Sequence, residues 1–430
     1  MYQVGFGDCF LVSFAYDEPL EDGRAERHML VDFGSTHGPK SAREDGGSVV
    51  EAAAALLEEH TSGELDVVVV THRHRDHLSG FGDEDSAGVI TALSPKLVVR
   101  PWTEHPDLPR DATAPLDRDA GDERLQFATN LAAGHRLAER VETLTHGARA
   151  GSIKGQLAHL AGDQVPNPEA IAFLDELAEG SGGGEYLSAG MSSEIAERIP
   201  GIGVRVLGPP TIAQHKAITK QRANDPDEFW FGQLGAIETL EPGLLKAGAT
   251  ESRSRIEPGP VAWIVEKLAR QQLASLRRIV RTVDDALNNT SLILLIDAGD
   301  KRLLLPGDAQ IENWSWALEH APETTEYRDL LAGVDLYKVG HHGSRNATPK
   351  SLFRLWDEGA GSDHAMTALL STMPGVHGRS ATAVPRGPLV EALARRMELV
   401  RSDDLGEDVG FVTVAAPCSG DEPFAVRAEA

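Results

Sequence analysis

The apolar run Val67-Val68-Val69-Val70 passes without a break into Thr71-His72-Arg73-His74-Arg75-Asp76-His77. Successive valines read as a buried strand. The chain therefore delivers His72, His74, Asp76 and His77 just where that strand ends. Neutral imidazoles and carboxylates are good ligands for zinc or manganese. His72 and His74, alternate residues of an extended segment, point the same way, whereas Asp76 and His77 turn toward a second position. One short segment can therefore serve two metal ions. A run of solvated surface charge is the competing reading, and arginines interleaved with histidines and an aspartate at this spacing fit it poorly.

Other segments read as the surroundings of that strand. Val4-Gly5-Phe6-Gly7-Asp8-Cys9-Phe10-Leu11-Val12 is a strand with a glycine-permitted bend, and His28-Met29-Leu30-Val31-Asp32-Phe33-Gly34 is a strand ending in a turn. Residues 48–60, rich in alanine and leucine, are a helix, and Leu97-Val98-Val99-Arg100 is a further strand. Residues 291–296 and 302–305 form a hairpin about Ala298-Gly299-Asp300 and lead into Pro306-Gly307-Asp308-Ala309. Residues 334–339 lead to Gly340-His341-His342-Gly343-Ser344. A strand at 365–371, a helix at 388–399 and a strand at 410–415 follow, and the last residues are expected to fray.

The His-x-His-x-Asp-His pattern resembles that of the metallo-β-lactamase superfamily. Gly340-His341-His342-Gly343-Ser344 is similar to the His-His-Gly-Ser signature of its ComEC-type branch, whose best-known member carries this domain on a DNA-uptake channel. Val204-Arg205-Val206-Leu207-Gly208-Pro209-Pro210 and Asn288-Asn289-Thr290-Ser291 look like that branch too. The resemblance covers about residues 1–100 and 200–380. It implies an α/β (α+β) fold, an αββα sandwich, here carrying a mostly helical insertion. The expected organisation is a first half of the core in 1–100, a helical insertion or cap in 101–200, and a second half in 201–430 with an inserted helical segment near 212–288. Helical patterns at 124–144 and 168–179 support the insertion, and Gly180-Ser181-Gly182-Gly183-Gly184 reads as a flexible connector.

For the site, the resemblance implies two divalent metal ions and a bridging hydroxide, an arrangement suited to in-line displacement at phosphorus. His72 and His74 would ligate one metal, Asp76 and His77 the other, and Asp308 would bridge both. His342 would join the metal of Asp76 and His77, with His341 a phosphate contact or general acid, unless the two rings exchange roles. Asp76 and His341 are thus the expected catalytic residues. Asp32 is cast as a residue that hydrogen-bonds a ligand and fixes its tautomer, against an ordinary role in a turn. Asn289, Ser344 and His377 are further candidates beside the metals or the substrate. Many members add a histidine between the first motif and the bridging aspartate. His105, His135, His146, His159 and His215 lie in that interval, and none stands out. Zinc is the default for histidine-rich ligation, and manganese also suits a mixed histidine and carboxylate set.

Composition sets limits on partners. The formal charge is −25, whereas nucleic-acid binding draws most of its affinity from lysine and arginine on phosphate. Two metals and a local basic stripe can still hold a phosphodiester on an acidic protein. The candidate stripe, Lys267, Arg270, Arg277, Arg278 and Arg281, lies on an amphipathic helix within 261–287; a solvated helix face is its bland alternative. With only Cys9 and Cys418, no disulfide framework is implied, and Cys9 is expected to be simply buried in its strand. A cytoplasmic, reducing setting is expected, since neither a leader pattern nor an apolar run of about eighteen residues occurs. No membrane partner is expected, and oligomeric state is not legible.

These readings combine into a binuclear metal-dependent hydrolase acting on a phosphoester, most concretely a phosphodiesterase or nuclease. A small-molecule ester, lactone or thioester hydrolase of the same fold is the second reading, and convergence of His341, Ser344, Arg345 or Arg379 on the metals would discriminate. A third is a metal-stabilised binding or effector module whose insertion meets a partner protein.

Overall fold

The computed structural model describes residues 1–39, 47–106, 108, 114–115, 168–181, 184–219, 288–344, 348–358, 364–376, 384–406 and 409–429. β1 (Cys9–Ala15) and β2 (Glu26–Phe33) pair antiparallel. From β2 the pairing is parallel through β3 (Val67–Val69), β4 (Leu97–Pro101) and β5 (Gly184–Leu187), so the first sheet runs β1-β2-β3-β4-β5. Parallel neighbours need crossovers. α1 (Val49–His60) joins β2 to β3, α2 (Arg75–Leu78) and α3 (Glu84–Ala92) lie between β3 and β4, and α4 (Pro168–Gly180) leads into β5. The Ser48 hydroxyl caps α1 by accepting the Glu51 N–H, satisfying one donor that has no partner within the helix.

The second sheet contains β6 (Ile202–Gly208), β7 (Ile293–Ala298), β8 (Lys301–Leu305), β9 (Leu336–Lys338), β10 (Thr367–Leu370) and β11 (Glu398–Arg401), in the order β11-β10-β9-β8-β7-β6. β6 to β8 pair antiparallel and β8 to β11 parallel, so each sheet grows from an antiparallel hairpin into parallel strands. Its helices are α5 (Ile311–Ser315), α6 (Thr324–Ala332), α7 (Lys350–Asp357) and α8 (Gly387–Arg396).

Side-chain alternation sorts the cores. Val67 and Val69 face inward, meeting Met29, Val31, Leu294, Ile296, Leu303 and Leu336 between the two sheets. Val68 and Val70 face the other way, against Ala53, Ala54 and Leu57 of α1 and Leu174 of α4. Beyond the second sheet, Leu295, Leu304, Tyr337 and Ala368 meet Trp314, Leu331, Leu352, Trp356 and Leu393 from the helices. The described residues thus form helix, sheet, sheet and helix layers. Both faces of β3 are covered, which is why its sequence is apolar throughout rather than alternating. Fully burying one such valine is worth about 1.5–3 kcal/mol.

Several sequence expectations change in detail. Pro168–Gly180 and Gly184–Leu187 lie in the interval read as an insertion, yet they complete the first sheet and its helix layer. The helix expected to run to residue 399 ends at Arg396: Met397 is extended (φ −143°), and the next residues form β11 along β10. The C-terminus, expected to fray, forms β13 (Ala425–Glu429), antiparallel to β12 (Phe411–Ala415), so its backbone groups are paired. Cys9 is fully buried in β1, as expected. No helix among the described residues is long and apolar enough to cross a membrane. The basic stripe at 267–281 and the helical pattern at 124–144 lie outside the described residues.

Candidate metal centre

Backbone geometry brings the candidates together at the carboxyl ends of parallel strands. β3 runs into the 72–77 segment, β8 into Asp308, β9 into His341 and His342, and Asp32 sits near the end of β2. His74 is still extended (φ −69°, ψ 149°), and Arg75 begins the single turn of α2 that carries Asp76 and His77. The segment therefore bends between the candidate pairs His72/His74 and Asp76/His77. Arg73, on the opposite side of the extended stretch, is drawn off by buried Glu104, donating from Nε to both carboxylate oxygens at 2.7 and 2.6 Å.

Two glycines permit the approach of these strand ends. A Cβ on Gly307 (φ +53°) would lie 2.6 Å from Cβ of Thr71, and one on Gly34 would lie 2.6 Å from the Asp76 carbonyl carbon. Asp32, His341 and His342 also have positive φ, at 56°, 45° and 49°. Left-handed backbone at a non-glycine costs on the order of 1 kcal/mol or more, and such strain gathers where function imposes it.

The hydrogen bonds behind the rings set which nitrogen each one offers. Asp32 Oδ2 accepts from Nδ1 of His77 at 2.8 Å and from Oγ1 of Thr71 at 2.7 Å, while Asp32 Oδ1 accepts from the Thr71 N–H at 2.7 Å. A carboxylate only accepts, so Nδ1 of His77 carries a proton. The Thr71 hydroxyl has spent its hydrogen on Asp32, so at 3.2 Å it accepts from Nδ1 of His72. Nδ1 of His342 donates to the Ser371 carbonyl at 3.0 Å, and the Phe6 ring packs on His342 with centroids 4.3 Å apart. In their neutral forms all three histidines then present Nε2 as a lone pair.

Those nitrogens converge on carboxylates. Nε2 of His342 is 3.0 Å from Asp76 Oδ2 and 3.8 Å from Asp308 Oδ2, and Nε2 of His77 is 3.3 Å from Asp308 Oδ2. Nε2 of His72 lies 3.0 Å from Nδ1 of His74. Candidate ligand atoms within 4.8 Å of one another form the groups His72, His77 and Asp308; Asp76, His77 and His342; and Asp8, Asp32 and His77. All three share His77. Lone pairs facing carboxylates at such distances need a proton or a cation between them, and a mixed imidazole and carboxylate set suits zinc or manganese.

Charge follows the same geometry. Burial lowers His72 well below the ordinary histidine range and His74 to about 4, so both are neutral at pH 7. Burial acts the same way on His77 and His342, but the surrounding carboxylates override it. Asp308 and Asp32 carry His77 well above its usual value, and Asp8 and Asp308 raise His342. Burial would raise Asp308 and Asp76; their cationic neighbours, His77 foremost, hold both below the carboxylate range instead.

His72, His74, Asp76, His77, Asp308 and His342 are thus gathered at one place. Of the two adjacent histidines, His342 faces the carboxylates with its ring. His341 gives its backbone N–H to Asp308 Oδ1 at 2.9 Å, and Nδ1 of its ring lies 3.0 Å from the Ser344 hydroxyl. Asn289 is buried in the turn that precedes β7, and its side-chain amide atoms have no hydrogen-bond partner among the described residues. That turn abuts the 72–77 segment, since Leu292 N–H donates to the Thr71 carbonyl at 3.0 Å. His105 packs instead on Tyr186, and His215 hydrogen-bonds Ser315 at 2.9 Å. His135, His146, His159, Arg345, His377 and Arg379 lie outside the described residues.

Two participants were missed from sequence. Asp8 is fully buried, 3.6 Å from Nδ1 of both His77 and His342, and Lys338 is buried in an ion pair with it. Each sits in an apolar strand-like run, where the one signal was a charged residue among residues destined for the core. The chain matches no protein-family model, and no curated protein matches it in sequence.

Proposed function

We propose that this chain is a binuclear metal-dependent hydrolase of the metallo-β-lactamase type, in its ComEC-type branch, acting on a phosphodiester such as nucleic acid or a nucleotide-derived compound. The observation that carries this reading is the convergence of three imidazole Nε2 atoms, each with its Nδ1 committed to an oxygen behind it, on Asp76, Asp308 and His74. Ligands at the strand ends of two facing sheets, with helices outside, agree with the αββα sandwich that the sequence resemblance implies.

Two divalent cations, zinc or manganese, would when bound make a hydroxide nucleophile available near neutral pH and offset charge on a phosphoryl oxygen. His72, His74 and Asp308 would hold one; Asp76, His77 and His342 would hold the other, with Asp308 reaching both. Asp32 keeps His77 in the ligating tautomer, and Thr71 relays the same restraint to His72. His341, partly exposed and oriented by Ser344, is suited to contact a phosphoryl oxygen or to protonate the leaving oxygen.

The test is hydrolysis of single-stranded DNA, plasmid DNA, RNA and a chromogenic phosphodiester, with zinc and manganese supplied separately and Asp308→Ala as the blank. Cleavage that the blank cannot perform is expected. Full metal content without turnover of any phosphodiester would overturn the assignment. Lactone or thioester substrates, run in parallel, would then separate the carbon-centred reading from a binding module.

A further inference from the structure

Lys338 ends β9 beneath the metal centre, and strand alternation explains how it comes to be there. Leu336 faces the core between the sheets and Tyr337 the outer helix core, so Lys338 returns to the inter-sheet side just where the apolar filling gives way to the ligands. It is 4 % exposed. Burying an ammonium is costly unless its donors are all used, and here they are. Nζ pairs with Asp8 Oδ2, donates to the Gly307 carbonyl at 3.0 Å and donates to Asp308 Oδ1 at 3.3 Å.

The consequence concerns Asp308. Its Oδ1 receives Lys338 and also the backbone N–H of His341 at 2.9 Å, so that oxygen is occupied from behind. Its Oδ2 is the oxygen that faces Nε2 of His77 and of His342. We propose that Lys338 is the positioning residue of the metal centre, tethering Oδ1 of Asp308 so that Oδ2 alone is offered to the cations. This rests on the two-metal reading above. The Gly307 carbonyl bond serves the same end, because it anchors the ammonium to the residue preceding Asp308. Asp8 holds the ammonium from the other side.

A merely structural role would be to neutralise buried Asp8, and the two roles separate in a double variant. Lys338→Met alone strands the Asp8 charge in the core. Lys338→Met with Asp8→Asn removes both charges and leaves the net charge of the site unchanged, but Asp308 Oδ1 still loses its tether. Wild type, the single variants Lys338→Met and Asp8→Asn, and the double variant are titrated with Co²⁺, following the visible absorption bands and the stoichiometry, alongside circular dichroism and the melting temperature of metal-free protein; the loss beyond that of Asp8→Asn alone reads the tether.

Wild type is expected to bind two equivalents. The double variant is expected to melt within a few degrees of wild type, yet to bind cobalt about 10–100-fold more weakly with altered bands, the range typical for loss of a residue that orients a ligand. Wild-type affinity and spectrum in the double variant would overturn the proposal and leave Lys338 as the counter-ion of Asp8. Wild-type protein that takes up no cobalt would overturn the metal-centre reading itself, and this inference with it.

Discussion

Asp32→Asn is a sharp test of the site because the substitution keeps the side chain's shape while removing its charge and reversing the hydrogen-bond polarity of one atom. Asp32 is 1 % exposed and has φ 56°, a backbone conformation that asparagine tolerates as well as aspartate, so the exchange adds no backbone strain. Oδ1 can still accept the Thr71 N–H. The amide nitrogen then replaces the oxygen that accepts from the Thr71 hydroxyl and from Nδ1 of His77. Two donors cannot face each other, so His77 must turn Nδ1 into an acceptor and move its proton to Nε2, the atom 3.3 Å from Asp308 Oδ2. A protonated Nε2 cannot ligate. Loss of a residue that orients a histidine ligand typically costs 10–100-fold in metal affinity, about 1.4–2.7 kcal/mol. Removing a charge-assisted hydrogen bond costs metal-free stability about 1.5–3 kcal/mol. Competition against a chromophoric chelator reads the affinity, and long-range ¹⁵N correlation spectra of the histidine rings read the tautomer. Undiminished affinity, with the His77 proton still on Nδ1, would refute the reasoning.

Further outcomes follow from the same geometry. Surrounding carboxylates raise His77 and His342 in the metal-free protein and so favour their protonated forms, whereas burial lowers His72 and His74, so metal uptake near pH 7 should expel protons and tighten as pH rises; calorimetry in buffers of different ionisation enthalpy counts them. In the metal-free protein, the stability contributed by His77 and His342 is complete below pH 6.5 and lost as pH rises through their raised values. That from His74 is complete above pH 6.5 and lost as pH falls toward about 4, where the unfolded chain binds the proton that the native site refuses; urea melts across this range read the opposing trends. His341→Asn keeps a side chain compatible with the left-handed backbone and should lower turnover at least about tenfold while metal content, read by elemental analysis, stays near wild type. Gly34→Ala places a methyl 2.6 Å from the Asp76 carbonyl carbon and should cost about 1–3 kcal/mol in denaturant unfolding, with weakened metal binding although no ligand is altered.

The candidate ligands legible in the sequence from spacing alone were those on one local segment. His72, His74, Asp76 and His77 lie on one bend after a buried strand, and strand period followed by a helical turn fixes their relative directions without help from the rest of the chain. Asp308 and the His341–His342 pair were nominated by their resemblance to family motifs, each lying just beyond a strand-like apolar run. The layers were expected only from the family resemblance; β3 by itself, apolar on both faces, showed no more than a strand covered on both sides.

Tertiary structure decided what depends on distance between segments remote in the chain. That His342 presents Nε2 to Asp76 depends on the Ser371 carbonyl and the Phe6 ring, which fix its ring, whereas the His341 ring meets Ser344. Asp8 and Lys338 could not be read locally, because one charge in an apolar run looks like a strand end until its partner, 330 positions away in sequence, is found against it. The extra strands β5, β11 and β13 were also unreadable, since short segments acquire strand structure from the edge they pair with rather than from their own composition. Local periodicity could nominate ligands and strands. Their protonation, orientation and pairing come from the groups packed behind them, because hydrogen bonds and Coulomb forces act through space and local spacing does not determine them.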